Sequence, residues 1–200
     1  MSDTAALLLQ WNPVLDADAA RAIIQLVDAT VEDGGTLGHA DRMSPQQAAH
    51  FIARLARRIE EKEVQLLLGR CEGEPAFMVM MSPSAMPNCR HTAELTKAVA
   101  HPKWRGRRLV EKALRALLDR ATALGIEQFV LDVREGSRAH LLWQRFGFAS
   151  YGVLDDYARV NGQRFRGHYM AQAVDVLRTR LASSPVFEDD IHSPEENHVA

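Results

Sequence analysis

The sequence predicts an α/β protein built on a mixed β-sheet. Stretches with helical periodicity alternate along the chain with short apolar runs of strand length. Two of these runs, at residues 64–70 and 75–81, flank Glu72-Gly73, which is a hairpin signal. The predicted order is one strand, two helices, three strands, a helix, a strand, a helix and two closing strands.

The first predicted elements are a strand and two helices. An apolar run at residues 6–11 predicts the strand, and Asp16 is a suitable N-cap for a helix that reaches about residue 31. Glycines at positions 34, 35 and 38 end that helix. The second helix starts at Ser44-Pro45-Gln46-Gln47, where Ser44 and Gln47 form a capping box. Its buried stripe is predicted to be Phe51, Ile52, Leu55 and Ile59.

The remaining elements follow the hairpin. Residues 92–100 predict a strand, and residues 107–124 form the most regular helical pattern in the chain, ending at Gly125. Residues 129–133 predict a short buried strand and residues 137–146 a helix. Two strands, at residues 151–154 and 169–174 with a turn at Asn161-Gly162, complete the order. We expect one domain over residues 1–176, followed at 177–200 by a C-terminal extension with an acidic, disordered tail.

Composition excludes several classes of protein. The 200 residues are 46% hydrophobic and 25% charged, with a net charge of −2, so global charge does not favour a nucleic-acid binder. No apolar run has membrane-span length, and the N-terminus does not resemble a signal peptide. The two cysteines form neither a disulfide framework nor a metal cluster, and the histidines lack metal-ligand spacing. We therefore expect a cytoplasmic protein that binds no metal, nucleic acid or membrane.

The net charge hides a local asymmetry. Residues 185–200 hold five acidic residues and no Lys or Arg, so the other 184 hold 24 basic and 21 acidic residues. Residues 101–145 hold ten Lys and Arg against five Asp and Glu. Within them, residues 99–110 read as a strand end, a Pro-containing loop and a basic helix N-terminus. Free N–H groups at a helix start bind anions, and Arg105, Arg107 and Arg108 add charge where a diphosphate could sit. The alternative is an ordinary basic turn before a surface helix.

The same segment resembles motif A of the GNAT superfamily of N-acetyltransferases, which reads Arg/Gln-x-x-Gly-x-Gly/Ala. Arg105 occupies the first position and Gly106 is retained, whereas Arg108 and Val110 replace the two following glycines. The second half of the chain resembles the family as well, through Leu131-Asp132-Val133 and Ala139-x-x-Leu142-Trp143-x-x-x-Gly147-Phe148. The resemblance extends, in element order, over about 170 residues and implies the GNAT fold, a mixed sheet with helices on both faces.

A closer likeness is to the tabtoxin-resistance acetyltransferase group. The shared features are Gly34-Gly35 after the first helix, Glu94-x-x-Lys97, Leu131-Asp132, Gly136-Ser137-x-Ala139 and Gly152-x-Leu154-x-x-Tyr157.

The resemblance implies acetyl-CoA as acetyl donor. It places the pyrophosphate on the backbone from Arg105 through Gly106, Arg107, Arg108 and Leu109 to Val110. It pairs the pantetheine arm with the strand edge at Ala98 and Val99, and adds Ser137 as a further cofactor contact. Arg108 and Val110 replace glycines of the family pattern but keep their backbone amides. We therefore expect the loop to bind the pyrophosphate still, with an altered loop geometry.

Acetyl transfer to an amine needs a base, because an alkyl ammonium titrates near ~10. Asp132 and Glu94 are the candidates. Asp132 matches a catalytic position of the tabtoxin-resistance group. The alternative for Asp132 is a strand-end carboxylate that pairs with Arg134 or caps the next helix. The alternative for Glu94 is an exposed strand residue without a role in catalysis. The leaving thiolate benefits from a proton donor. Trp143 stands where the family has Tyr, and an indole shapes a pocket without acting as an acid; Tyr151, Tyr157, Tyr169 or water are the substitutes.

The predicted function is N-acetylation of a small primary amine, with Gly35, Tyr157 and His168 at the acceptor site. His168 could equally be a surface or core histidine. A protein or peptide N-acetyltransferase stays open, as does a CoA-binding regulatory module with little turnover, which the replaced glycines and Trp143 favour. A ligand-free interaction protein is the remaining alternative. We expect a monomer or a homodimer.

Overall fold

The fold is centred on one seven-stranded sheet. The computed structural model describes residues 7–35, 37–38, 41–105, 108–160 and 162–183. In these residues the sheet has the order β1-β2-β3-β4-β5-β7-β6. The strands are β1 (Leu7–Trp11), β2 (Gln65–Cys71), β3 (Glu74–Pro83), β4 (Thr92–Ala100), β5 (Gln128–Arg134), β6 (Ala149–Val160) and β7 (Gln163–Ala173).

Within the described ranges, five α-helices cover the two faces of the sheet. They are α1 (Ala17–Glu32), α2 (Pro45–Glu60), α3 (Leu109–Ala123), α4 (Arg138–Arg145) and α5 (Val174–Ser183). One apolar cluster packs α1 and α2 against the sheet through Ile23, Leu26 and Leu55. A larger cluster packs α3, α4 and α5 on the opposite face through residues such as Leu117 and Phe146. The mixed sheet with helices on both faces is therefore confirmed.

Local signals positioned most of these elements correctly. The Asp16 carboxylate accepts the backbone N–H groups of Asp18 and Ala19, which starts α1. Ser44 and Gln47 form the predicted capping box of α2. The β2–β3 hairpin turns at Glu72 and Gly73, which have φ of 52° and 80°, as a tight turn between twisted strands requires. The turn residue Asn161 lies outside the described residues.

The parallel pair β4–β5 creates the important irregularity of the sheet. Its register runs Thr92↔Gln128, Ala93↔Phe129 and Glu94↔Val130 and then stops. Both strands continue beyond this point, so they diverge and leave facing edges unpaired. On the other side of β4, the register with β3 shifts between Met78 and Met80. Lys97 lies in this bulge with φ of 51°, which turns the chain at the start of the unpaired edge.

The helix α5 was not predicted and crosses the expected domain boundary at residue 176. Its Leu177 and Leu181 are buried in the larger apolar cluster. Arg115 of α3 also donates a hydrogen bond to the backbone carbonyl of Leu181 at 2.8 Å. The packed domain therefore extends at least to Leu181. The acidic tail at 185–200 lies outside the described residues. No helix in the described part of the chain has the length and apolarity to cross a membrane.

Candidate active site

A cavity of about 770 Å³ occupies the gap between the diverging strands β4 and β5. Its walls come from the unpaired ends of the two strands, the first turns of α3, the start of α4 and the loop after α1. The lining includes Asp33, Gly35, Lys97, Ala98, Val99, Arg105, Leu109, Val110, Asp132, Arg134, Ser137, Trp143 and Tyr157.

One end of the cavity is formed by the N-terminus of α3. Arg108 precedes this helix with φ of 56° and ψ of 27°, a left-handed conformation that favours glycine. No side chain among the described residues caps the helix. The first-turn N–H groups, including those of the cavity-lining Leu109 and Val110, have no intrahelical acceptor. This end of the cavity can therefore accept an anion on backbone N–H groups.

The Arg108 side chain turns away from that end. Its guanidinium donates hydrogen bonds of 2.9 and 2.7 Å to one carboxylate oxygen of Glu111. Arg115 bonds the other oxygen at 2.8 Å. Burial alone would raise the pKa of Glu111, but the hydrogen bonds from Arg115 and Arg108 lower it overall. Arg108 is not among the cavity-lining residues, and its predicted backbone contact with a cofactor stays a prediction.

Arg105 brings positive charge to the cavity, but that charge is already paired. Its guanidinium donates hydrogen bonds of 3.1 and 2.5 Å to the two carboxylate oxygens of Asp33, just after α1. Arg138 of α4 adds a longer contact of 3.9 Å to Asp33. The hydrogen bond from Arg105 lowers the pKa of Asp33, so this carboxylate stays ionised. An anion that enters here meets two arginines and one competing carboxylate.

The unpaired edge of β4 supplies backbone groups along the cavity. Ala98 and Val99 line it, and Val99 pairs with Met78 of β3 on its other side. Because β5 has diverged at this point, the edge of β4 that faces the gap offers hydrogen-bonding groups to an extended ligand. This is the edge at which the family resemblance implied a pantetheine arm, and that placement stays a prediction.

At the opposite wall, Asp132 of β5 forms a pair with Tyr157 of β6. The Tyr157 hydroxyl donates a hydrogen bond to Oδ2 of Asp132. Burial and this hydrogen bond both raise the pKa of Tyr157, so the phenol keeps its proton at physiological pH. Both residues line the cavity. The structure thus brings together a predicted base and a predicted acceptor-site residue that lie 25 positions apart in sequence.

Trp143 and Ser137 contribute to the wall next to α4. Trp143 is buried and packs edge-on against Phe148, with ring centroids 4.9 Å apart. Ser137 is the N-cap of α4, and its hydroxyl accepts the backbone N–H of His140 at 3.1 Å and donates to the carbonyl of Arg134 at 2.7 Å. The Ser137 hydroxyl is thus engaged in a cap, although the residue lines the cavity.

Acetyltransferases share this architecture. A candidate phosphinothricin N-acetyltransferase is 18% identical to this chain, over 84% of this chain and 99% of its own, with a TM-score of 0.66. A ribosomal-protein-alanine N-acetyltransferase from Brucella melitensis is 17% identical over 83% and 99%, with a TM-score of 0.67. A candidate acetyltransferase from Salmonella typhimurium, solved with its cofactor acetyl-CoA, is 17% identical over 85% and 95%, with a TM-score of 0.67. At identities this low, the structural similarity shows a shared fold alone. A search of curated protein sequences finds no match.

The sequence itself decides the family. The model of the acetyltransferase (GNAT) family matches residues 35–148, which is more than half of the chain. The chain belongs to the GNAT family. The matched segment contains β4, α3, β5 and α4, the elements that build most of the cavity wall. The activity of this family is acetyl transfer from acetyl-CoA.

The cavity of this GNAT protein fits acetyl-CoA at two features. The uncapped first turn of α3, next to Arg105 and Arg138, suits a diphosphate. The unpaired edge at Ala98 and Val99 suits the amide-containing pantetheine arm. Gly106 and Arg107, the other two predicted pyrophosphate residues, lie outside the described residues.

Glu94 and His168, like Arg108, are predicted site residues that do not line the cavity. Glu94 pairs with Val130 on the last closed rung between β4 and β5, and its exposed side chain is not part of the lining. His168 pairs with Val133, one residue away from the Asp132↔Tyr169 pair, so it faces the other side of the sheet. There its ring stacks on His140 of α4 with centroids 4.4 Å apart and contacts Glu135 at 3.0 Å. His168 is a packed residue of that face, as its alternative interpretation proposed.

Lys97 lines the cavity but was not among the predicted site residues. Its ammonium donates a hydrogen bond to the backbone carbonyl of Leu37, in the loop after α1. Burial lowers the pKa of Lys97, as does the positive charge of Arg54, while Asp132 opposes the shift. One sequence signal pointed to Lys97, because it is the last residue of the Glu94-x-x-Lys97 pattern shared with the tabtoxin-resistance group. The bulge that turns it into the cavity is visible only in the structure.

The described residues of the loop after α1 line a further side of the cavity. Gly35 lines the cavity, and its backbone N–H bonds the carbonyl of Thr30 at 2.9 Å. A Cβ at Gly35 would lie 2.7 Å from Cγ2 of Thr30, so only glycine fits this turn. Arg134 donates a hydrogen bond of 3.0 Å to the carbonyl of Gly34. Lys97 of β4 bonds the carbonyl of Leu37 in the same loop. Each of the two diverging strands therefore donates one side-chain hydrogen bond to a carbonyl of this loop.

Proposed function

We propose that this GNAT protein is an N-acetyltransferase that moves acetyl from acetyl-CoA to the primary amine of a small molecule by direct attack. The observation that carries the proposal is the continuity of one cavity. It joins the anion-accepting start of α3 to the Asp132–Tyr157 pair through the unpaired edge of β4. A nucleotide thioester laid along this edge presents its acyl end towards Asp132.

Asp132 is the proposed acceptor of the amine proton. An alkyl ammonium titrates near ~10 and must lose a proton before its nitrogen can attack. A carboxylate at the wall of the cavity can take that proton directly or through one water. Tyr157 orients the carboxylate by donating to Oδ2, which leaves Oδ1 for the ammonium. The attack forms the N–C bond, and the C–S bond to CoA breaks with departure of the thiolate.

Tyr157 is also the tyrosine of the cavity wall that can donate to that thiolate, by turning its single O–H away from Asp132 once the carboxylate has taken the amine proton. It lines the cavity and keeps its proton because burial and Asp132 raise its pKa. Tyr151 and Tyr169 do not line the cavity and are both exposed. Trp143 lines it, but an indole N–H does not act as an acid. We therefore assign Trp143 to the shape of the pocket and Tyr157 to hydrogen bonding.

A small acceptor is favoured over a peptide by the loop after α1. Arg134 and Lys97 hold the carbonyls of Gly34 and Leu37 across the acceptor side of the cavity. We expect a folded protein substrate to need displacement of this loop and a small amine to need none. The cytoplasmic location and the monomeric or dimeric state stay predictions.

The test is CoA release with a panel of small amines, and with peptides as the comparison. Turnover with at least one amine is expected, and acetyl-CoA binding without turnover would favour the regulatory module instead. Asp132→Asn preserves the shape of the side chain and should lower kcat by about 100-fold with little change in acetyl-CoA affinity. Glu94→Gln, a matched carboxylate outside the cavity, should leave kcat within about twofold. Equal effects of the two variants would contradict the assignment of the base.

A further inference from the structure

Tyr157 reaches Asp132 by crossing a neighbouring strand. Tyr157 belongs to β6 and Asp132 to β5, and β7 lies between these two strands in the sheet. The β6–β7 register runs Leu154↔Gly167 and then Ala158↔Phe165. Residues 155–157 therefore form a bulge, which lifts the Tyr157 side chain over β7. The ring has to pass directly above the β7 backbone to deliver its hydroxyl to Asp132.

The residue beneath the ring is Gly167. A Cβ atom at Gly167 would lie 2.1 Å from Cγ of Tyr157 and 2.5 Å from each Cδ atom. Carbon atoms in contact are separated by ~3.5 Å or more, so an alanine here would displace the ring by roughly 1 Å. Because the hydroxyl is fixed to the same rigid ring, it would leave Asp132 with it. Hydrogen bonds weaken steeply when distance and angle are lost.

Backbone conformation does not account for this glycine. Gly167 is absent from the glycines with positive φ and is regularly paired with Arg134 of β5 and Leu154 of β6. A glycine within a strand generally weakens it and marks a close approach by another group. Gly152 of β6 is a useful contrast, because a Cβ there would lie 3.8 Å from the ring of Tyr169, an ordinary contact.

We infer that Gly167 is a positioning residue of the active site, whose missing side chain seats the Tyr157 ring and so sets the hydrogen bond to Asp132. It touches no reacting atom and acts through Tyr157. The inference rests on the proposed function for its effect on catalysis. The contact itself can be tested without turnover.

The direct test is titration of the tyrosines by ultraviolet difference absorbance. The chain has three tyrosines, and in the wild-type protein the Tyr157 phenol should ionise above the ordinary tyrosine range. In Gly167→Ala this late-titrating phenol should shift towards the ordinary tyrosine range. Gly152→Ala should leave it in place. An unchanged Tyr157 titration in Gly167→Ala would overturn the inference, whether or not any amine is acetylated.

A double-mutant cycle then tests the consequence for catalysis. Gly167→Ala and Tyr157→Phe should each lower kcat by about tenfold, and the double variant should be no slower than either one. Full multiplication of the two effects would show that Gly167 acts independently of the hydroxyl and would overturn the inference. Absence of turnover in every variant counts against the proposed function and leaves the titration as the deciding readout.

A further variant covers poor folding of Gly167→Ala. Tyr157→Ala combined with Gly167→Ala removes the ring with which the new methyl group collides. Gly167→Ala should then lower the melting temperature less in the Tyr157→Ala background than in the wild-type protein. An equal loss in both backgrounds would show that the methyl group collides with something else, and the inference would fail.

Discussion

Asp33 and Arg105 form a two-point ion pair in the lining of the cavity, with hydrogen bonds of 3.1 and 2.5 Å. The two residues are 72 positions apart, and their contact ties the end of α1 to the loop before α3. It holds the arginine of motif A beside the uncapped helix start. It also places a carboxylate where the diphosphate of acetyl-CoA is expected, so the cofactor has to compete with Asp33 for Arg105.

Changes at the two partners should therefore alter acetyl-CoA affinity in opposite directions. Arg105→Gln should weaken binding by about tenfold, or ~1.4 kcal/mol, because it removes a charged phosphate partner. Asp33→Asn should tighten binding by about threefold, because it removes the competing negative charge. Isothermal titration calorimetry with acetyl-CoA measures both effects, and added salt should reduce them.

Lys103→Gln is the matched control for these two variants. Lys103 is close in sequence but forms its ion pair with Glu74, at 2.5 Å, outside the cavity lining. It should leave the affinity unchanged. Weaker binding in Asp33→Asn would mean that the carboxylate helps the cofactor by orienting Arg105, and would contradict the competition.

Because Arg108 has a left-handed backbone conformation, we expect Arg108→Gly to be more stable than Arg108→Ala. Both Arg108→Ala and Arg108→Gly remove the hydrogen bonds to Glu111, which keeps its bond to Arg115. Only glycine also relieves the backbone at φ of 56°. The glycine variant should therefore have the higher free energy of unfolding, by about 1 kcal/mol in denaturant titrations. Equal stability, or a more stable alanine variant, would contradict the strain at this position.

The stacked pair His140–His168 predicts an acid-sensitive stability. Burial and the nearby charge of His168 lower the pKa of His140 in the folded protein. The unfolded chain, with a histidine pKa near ~6.5, then binds more protons in the window below that value. The contribution of His140 to the free energy of unfolding should be complete above pH ~6.5. It should be lost as the pH is lowered from there towards the pKa of His140 in the folded protein. Chemical unfolding at a series of pH values measures this slope.

Replacing His140 by Gln should make the acid slope shallower. Both proteins keep the hydrogen bond from His168, which is the largest cause of the lowered Glu135 pKa, and the neighbouring Arg166, so only the smaller contribution of His140 to that pKa is lost. His50→Gln, at an exposed histidine of α2, is the control and should retain the wild-type slope. Identical slopes for the wild type and His140→Gln would rule out His140 as the source.

Trp143 is expected to matter for stability more than for proton transfer. Trp143→Phe leaves a gap beside Phe146 and Phe148 in the larger apolar cluster. The free energy of unfolding should fall by about 2 kcal/mol. The shape of the kcat–pH profile should not change, because the indole does not titrate. A folded variant that loses one limb of that profile would refute this assignment.

Much of the site followed from local sequence patterns. The basic stretch predicted a helix from residue 107, close to the observed start of α3 at Leu109, and the family resemblance implied Asp132 and the strand edge at Ala98 and Val99. Leu109, Asp132, Ala98 and Val99 all line the cavity. They were predictable because each depends on a helix start or a strand end, which short segments specify.

Other residues could not be placed because their positions depend on register. His168 and Tyr169 are adjacent, yet only Tyr169 shares the sheet face of Asp132, since a one-residue step in a strand reverses the side. Glu94 falls on the last paired rung before β4 and β5 diverge. The α5 helix was missed because it is short and has no strong start signal, and its burial depends on packing against α3.

The sequence by itself determined the α/β class, the order of most elements, the family and the local concentration of positive charge that the net charge of −2 conceals. The tertiary structure decided which of these charges are available. It pairs Arg105 with Asp33 and Arg108 with Glu111, and brings Tyr157 over Gly167 to Asp132. Motifs report local backbone preferences, which neighbouring residues specify. Partners that are 25 or 72 positions apart meet only when bulges and divergent strands set the geometry of the whole sheet.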